Sequence, residues 1–332
     1  MNAPTPIIER SALTHLELVL RQVRMEATGI NSYEFVDPDG NDLPGFTAGA
    51  HIDVHIAPGV IRQYSLCNNP DERHRYVVAV LRDEAGRGGS RGMHETLRVP
   101  NRVKVSVPRN NFTLTEGARK FILLAGGIGV TPLKAMVHRL ESMRIDYDLH
   151  YCAKGPQYAA FEAELKRIAS IGRVHCHFDG GNPKNGLDIA SLLKQPEPDT
   201  HIYYCGPGGF MQACADAAAH WPQEFVHCEH FKAPVQKAPA AGDAQVEGYV
   251  VELAQSGKKL TVSADQNLAE VLQQAGAPVE TSCQSGLCGT CKVRYLAGDV
   301  DHQDFILDES ERQSVMTPCV SRCSGGTLVL DL

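Results

Sequence analysis

The chain has 332 residues, 43% hydrophobic and 21% charged, the balance of a globular protein too long for one ordinary core. Its formal net charge of −7 argues against nucleic-acid binding as the main activity, and no apolar run approaches the length of a membrane span. The start, MNAPTPIIERS, lacks a basic stretch followed by an apolar one and reads as a short tail, not a secretory signal.

In chain order, residues 11–115 show short alternating runs, HLELVLRQV, HIDVHIA, YVVAVLR and RVKVSV, separated by the turn signals DPDGN, PGV and PRNN. Side chains alternate across a strand, so this period predicts a small antiparallel barrel. From Phe121 the pattern changes. FILLAGGIGVTPLKAMVHRL is an apolar strand, a glycine turn and a helix with Leu133, Met136, Val137 and Leu140 on one face. The strands DLHYCA, VHCHF and THIYYC then alternate with the helices AAFEAELKRIAS, DIASLLKQ and FMQACADAAAHW, which predicts a parallel sheet with covered faces. KAPVQKAPAAGDAQ has no hydrophobic period and reads as a linker. Beyond it, YVVELAQSGKKLTV is a hairpin candidate, NLAEVLQQAG a short helix and TLVLDL a terminal strand, together a small α+β domain. The expected boundaries are 11–115, 116–231, a linker at 232–245, and 246–332.

Eleven cysteines, an odd number, lie mostly singly in apolar segments (Cys67, Cys152, Cys176, Cys205), which fits a reducing cytoplasm better than a disulfide framework. Three crowd the stretch TSCQSGLCGTCKVRY, where a zinc knuckle, a disulfide staple, a redox dithiol and an iron–sulfur cluster are the readings to weigh. Structural zinc sites use two separated pairs, each C-x2–4-C. Here Cys283-x4-Cys288-x2-Cys291 shares one loop and Cys319 arrives from afar, the spacing of a plant-type [2Fe–2S] cluster. Gly286 and Gly289 suit a loop that folds tightly and turns backbone N–H groups towards sulfur. Cys323 competes as the fourth ligand. Cys319 is preferred because TPC lies nearer the loop's expected return, which leaves Cys323 a free thiol.

AGGIGVTP, between a strand and a helix, has glycines that let the backbone approach a pyrophosphate and a helix N-terminus that offers free N–H groups. It is not the G-x-G-x-x-G fingerprint, and a plain tight turn is the other reading. CGPGGF is a second glycine turn, at the carboxyl end of a strand, where open parallel sheets place ligands. In the barrel, RQYSL offers Arg62 for a phosphate, Tyr64 to lie along an aromatic ring and Ser65 to hydrogen-bond a ring nitrogen. By residue type alone, an exposed arginine beside a half-buried tyrosine is the commoner occupant of a strand. GRGGSRGMHETL supplies glycines and then Ser90 as a helix N-cap, a second anion-ready helix start.

In this order, RQYSL, GGSRGMHE, AGGIGVTP, CGPGGF, EHF and C-x4-C-x2-C…C make the chain resemble the phthalate dioxygenase reductase family over nearly its whole length, and within it the reductase components of vanillate O-demethylases. The resemblance implies a multidomain protein: an antiparallel flavin-binding β-barrel, an α/β parallel-sheet nicotinamide domain of the ferredoxin reductase type, and a C-terminal α+β β-grasp ferredoxin. It implies FMN held by Arg62, Tyr64 and Ser65 and flanked by Leu66 and Val80, with Gly88, Gly89 and Ser90 near its phosphate and Thr131 approaching from the next domain. It implies NADH, with Gly126, Gly127 and Gly129 by the pyrophosphate and Cys205, Gly206 and Pro207 by the nicotinamide ring. Glu229-His230-Phe231 resembles the family's Glu-x-aromatic ending, in which Phe231 covers the isoalloxazine. Ser65, Cys205, Glu229 and Phe231 are then the catalytic set, and Cys283, Cys288, Cys291 and Cys319 the metal ligands.

Electron counting supplies the mechanism. NADH gives a pair of electrons as hydride, a [2Fe–2S] cluster accepts one, and a flavin can take the pair and release singles. The implied activity is that of a cytoplasmic, NADH-dependent reductase feeding a separate Rieske-type oxygenase that acts on an aromatic or similar organic substrate. A self-sufficient NADH:acceptor reductase and a redox-sensing interaction module are the alternatives. Lys154, after DLHYCA, either meets a 2′-phosphate or faces water, so NADH over NADPH follows family habit. From Val246 to Leu332, twelve Asp or Glu stand against six Lys or Arg, a balance of −6, read either as a solvated face or as a surface steering a basic partner. His51, His55, His175, His177, His227 and His230 are read as ordinary strand residues.

Overall fold

The computed structural model describes residues 14–86, 88–232, 248–263 and 265–332. The expected linker lies outside them except for Lys232, as does the expected start of the barrel at 11–13. The described residues form two units, one running to Cys205 and including Asp216–His227, the other comprising Gly206–Ala215 and Cys228–Leu332.

In the first unit, β1 (His15–Ala27), β2 (Ile30–Val36), β3 (His51–Ala57), β4 (Val60–Ser65), β5 (Tyr76–Leu81) and β6 (Arg102–Ser106) form a sheet in the order β4-β3-β6-β1-β2-β5, with α1 (Gly89–Thr96) between β5 and β6 in the chain. Just past β4, Leu66 bridges to Val78 and the Cys67 N–H donates to Val77 O at 2.9 Å, so the antiparallel sheet closes into a barrel. Ile52, Val54 and Ile56 of β3 join Leu18, Leu20 and Phe35 in its core, the period of two that the sequence shows. β2 shows that pattern only over Ser32–Phe35, because Asn31 and Ser32 put two polar residues together and Phe35 and Val36 two apolar ones.

The same unit continues with β7 (Lys120–Gly126), α2 (Val130–Met143), β8 (Asp146–Ala153), α3 (Glu162–Ile168), β9 (Arg173–Phe178), α4 (Ile189–Leu192) and β10 (Thr200–Cys205), while α5 (Gly208–Ala218) and β11 (Val226–Glu229) run across the division. The sheet order is β11-β10-β7-β8-β9, and β7 pairs in parallel with both β8 and β10. β7 and β10 read as nearly unbroken apolar runs because a central parallel strand is covered on both faces. Leu133, Met136, Val137 and Leu140 of α2 are fully buried, as their helical spacing requires. Barrel and sheet share one hydrophobic cluster, in which Cys67, Phe112 and Leu114 join Phe121, Leu133 and Tyr203.

In the second unit, β12 (Tyr249–Leu253), β13 (Lys258–Val262), α6 (Leu268–Gln274), β14 (Val293–Ala297), β15 (Val300–Asp301), β16 (Val315–Met316), β17 (Arg322–Cys323) and β18 (Thr327–Leu330) follow in order. β12 and β13 form the expected hairpin. The terminal strand β18 lies centrally, parallel to β12 and antiparallel to β14, in a mixed sheet β13-β12-β18-β14-β16. Leu268, Ala269 and Leu272 of α6 complete its core with Val251, Leu328 and Leu330, a β-grasp arrangement. Asn267 caps α6 by accepting from the Ala269 and Glu270 N–H groups, a cap worth about 1 kcal/mol.

Candidate active site and cluster loop

Arg62, Tyr64 and Ser65 lie on β4 where the barrel closes. The Arg62 side chain lies against the start of α1, and only glycine allows this, since a Cβ at Gly89 would fall 2.4 Å from Arg62 Nε. A guanidinium and a helix start thus share one place, which suits a phosphate. Ser90 is not the N-cap the sequence suggested. Gly88, in the left-handed region at φ 81°, caps α1, so the helix begins two residues sooner and Ser90 Oγ accepts from the Asp83 N–H at 3.0 Å. Ser65 is buried, and burial pushes the Tyr64 hydroxyl above its ordinary pKa. Leu66 and Val80 fill the barrel core, the Leu66 N–H donating to Ala50 O at 2.8 Å and the Val80 carbonyl accepting from His94 Nε2 at 2.9 Å.

In the parallel sheet the strand order reverses between β7 and β10, the topological switch point where such folds take ligands. Cys205 ends β10 in register with Ala125, so the two glycine turns leave neighbouring strand ends. Gly127 has φ 53°, and a Cβ there would meet nothing within 4 Å, the open, side-chain-free approach that a pyrophosphate needs. Gly126 ends β7 and Gly129 caps α2. Thr131 is buried, its Oγ1 donating to Ile128 O at 3.1 Å, so the hydroxyl holds the turn. Glu229 ends β11, and Gly206 and Pro207 follow directly on β10. Two residues past β11, Phe231 is 38% exposed, an aromatic ring available for stacking.

The cluster loop is shaped by two glycines with positive φ. A Cβ at Gly286 would lie 2.8 Å from Val320 Cγ2, and one at Gly289 3.0 Å from Ile306 Cδ1. The thiols meet two by two: Cys283 hydrogen-bonds Cys288, and Cys291 hydrogen-bonds Cys319. The hydrogen bond within each pair lowers the pKa of Cys288 and of Cys319 and raises that of Cys283 and of Cys291. Backbone N–H groups face the sulfurs, Leu287 N donating to Cys283 Sγ at 3.4 Å and Gly286 supporting Cys319. Asn267, the cap of α6, donates to Cys319 O at 2.8 Å and fixes the distant ligand. Two pairs of thiols around one loop, with amides turned onto sulfur, fit two irons that each need two thiolates. Cys323 is buried, its Sγ donating to Gly325 O at 3.1 Å.

Three features carry no local sequence signal. Lys134, read only as one residue of a helix, is buried between the barrel and α3. His150 pairs with His177 through ring nitrogens 3.1 Å apart, and His201 with His227 at 2.9 Å, each pair joining neighbouring strands. Asp304, counted in the acidic segment, is buried, with Arg312 and His302 each 3.5 Å away. It accepts from the Ile306 and Leu307 N–H groups and thereby anchors the segment whose Phe305 N–H donates to Gly286 O.

Comparison with known proteins agrees with this geometry. Residues 251–324 match the 2Fe-2S iron-sulfur cluster binding domain family. The chain is 56% identical over 325 residues to the tert-butanol monooxygenase / tert-amyl alcohol desaturase reductase subunit of Aquincola tertiaricarbonis, covering 96% of each. It is 44% identical to a vanillate O-demethylase oxidoreductase of a Pseudomonas species, covering 96% of this chain and 100% of that one. Among solved structures, phthalate dioxygenase reductase, described as a modular structure for electron transfer from pyridine nucleotides to [2Fe-2S], superposes with a TM-score of 0.70 at 38% identity, over 96% of this chain and 98% of that one. The chain belongs to the phthalate dioxygenase reductase family.

Proposed function

We propose that the chain is the NADH-dependent reductase component of a two-component oxygenase, carrying electrons from NADH through FMN and a [2Fe–2S] cluster to a Rieske-type partner. The observation that carries this reading is the two-by-two meeting of Cys283 with Cys288 on a glycine-shaped loop and of Cys291 on that loop with the distant Cys319. The proposed modules are 11–115 for flavin, 116–231 for nucleotide and 246–332 for the cluster, joined by 232–245.

Within these modules each residue has a physical task. Arg62 and the N–H groups at Gly88–Ser90 hold the FMN phosphate, while Tyr64 and Ser65 orient the ring. Gly126, Gly127 and Gly129 admit the pyrophosphate, and Thr131 keeps that turn rigid. Cys205, Gly206 and Pro207 line the nicotinamide place, Glu229 borders it, and the Phe231 ring excludes water by stacking. The cysteines and the amides around them bind and tune the cluster. When bound, the flavin converts the two-electron chemistry of nicotinamide into the one-electron chemistry of iron and sulfide. Eleven free cysteines support a cytoplasmic setting.

Purified protein should release FMN on denaturation, contain iron and acid-labile sulfide in equal amounts, and reduce ferricyanide with NADH in preference to NADPH. Colourless protein, or zinc in place of iron, would sink the reading. Turnover that needs a purified oxygenase separates it from a self-sufficient reductase, and fast steady NADH consumption excludes a sensor. The acidic cluster module points to a basic docking face on the partner. Electron delivery should fall about tenfold between low and about 0.5 M salt while NADH:ferricyanide activity holds. A salt-independent delivery rate would refute that docking. The higher identity to the tert-butanol monooxygenase reductase subunit favours a second reading of the partner, an oxygenase acting on a small tertiary alcohol instead of an aromatic compound. Supplying the reductase to oxygenases of both kinds decides.

A further inference from the structure

A buried ammonium is costly unless each of its protons finds a partner. Lys134 lies on α2, one helical turn beyond Thr131, with its side chain 5% exposed. Its Nζ donates to Cys67 O at 2.8 Å, lies 3.0 Å from Glu164 Oε1 of α3 and stands 5.0 Å over the Phe161 ring. Cys67 is itself locked to the barrel seam, its N–H and Sγ both donating to Val77 O, at 2.9 and 3.3 Å. A short, stiff path therefore runs from Ser65 through Leu66 to the Cys67 carbonyl, across to Lys134, and back one turn to Thr131 and the Gly127–Gly129 turn. Glu164 on α3 meets only one of the three donors of the ammonium. Its shorter bond reaches the carbonyl two residues past the strand assigned to flavin.

We infer that Lys134 is a positioning residue for hydride transfer, fixing the nucleotide-binding turn against the flavin strand through the Cys67 carbonyl. This rests on the reading of Arg62–Ser65 as the flavin element and of the glycine turn as the nucleotide element. Hydride transfer is steep in donor–acceptor distance, and a misplacement near 1 Å costs about a hundredfold. Lys134→Met keeps the stem and its packing but removes the donor.

The test uses the holoprotein in anaerobic stopped flow. K134M should bind flavin and iron as the unaltered chain does, with NADH Kd within about threefold, yet its flavin should be reduced by NADH about tenfold to a hundredfold more slowly. Transfer from pre-reduced flavin to the cluster should not change. Glu164→Gln removes the ion pair but keeps the bond to Cys67, so its reduction rate should stay near normal while its Tm falls. A normal rate in K134M with a lowered Tm overturns the inference, as does an equal loss of rate in E164Q. Should K134M not fold, Lys134→Arg carries the test, because a longer planar head cannot hold the same spacing. Slowed reduction at full cofactor content then supports the role, and a normal rate overturns it. If the unaltered chain fails to pass hydride from NADH to its flavin, the functional reading falls before any variant is compared.

Discussion

Cys283→Ser lowers cytochrome c reduction to background while NADH:ferricyanide activity stays within about twofold of the unaltered chain. The expectation follows from the pairing in the loop. Cys283 and Cys288 form one thiol pair and Cys291 and Cys319 the other. Removing one member leaves one iron with a single protein thiolate, and a hydroxyl is a poor substitute for the soft sulfur ligand. Iron and sulfide content should fall with the cytochrome c activity, which separates cluster loss from a defect in docking. Arg62–Ser65 and the Gly126–Gly129 turn belong to the other compact unit, so flavin reduction should persist. Cys319→Ser should behave as Cys283→Ser does. Cys323→Ser should keep the cluster, because its thiol bonds to Gly325 O and lies outside both pairs. A Cys323→Ser protein without iron, or a Cys283→Ser protein that still reduces cytochrome c, would overturn the ligand assignment.

The second large effect is on stability against pH. Burial lowers His51, His138, His150 and His227 from 6.5 to about 4, with nearby Arg109, Lys134, His175 and His201 adding repulsion in turn. Neither ring nitrogen of buried His51 has a hydrogen-bond partner among the described residues, so protonation there brings no compensation. A histidine with a folded pKa below its unfolded value binds fewer protons folded than unfolded. Its stabilisation is therefore complete above pH 6.5 and is lost as pH falls towards 4. At pH 5 His51 and His138 should each cost about 2 kcal/mol, at 1.36 kcal/mol per pKa unit, and the more solvated His150 and His227 a smaller share. Against a domain stability of about 5–15 kcal/mol this is large, and the melting temperature of the first unit should drop by about 10 °C between pH 7.5 and 5. Carboxylates do not confuse this window. Glu141, held at about 2 by bonds from Ser170 and Ile171, keeps its contribution until pH passes below its unfolded value of 4.5. Calorimetry over that range checks the prediction: a flat melting temperature would refute it, and His138→Gln should flatten part of the slope.

The meeting of the loop cysteines was legible from spacing alone. Cys283, Cys288 and Cys291 lie within nine residues, so their convergence needs only a tight loop, and Gly286 and Gly289 announce one. The barrel strand β3 and helix α2 were likewise readable, because their apolar residues recur with the period of the element, Ile52, Val54 and Ile56 in β3 and Leu133, Met136, Val137 and Leu140 in α2. β2 was missed because its polar–apolar alternation is confined to Ser32–Phe35, and Ser90 was misplaced as a cap because a left-handed glycine opened the helix before it. Tertiary structure alone decided the rest. Lys134 meets a carbonyl 67 residues away, His150 a ring 27 residues away, and Asp304 turns from a surface charge into a buried anchor. Sequence records a local constraint, such as a turn, a face or a ligand spacing, because neighbouring residues share it. A contact between distant segments depends on how separately folded pieces meet, and no short window of residues carries that information.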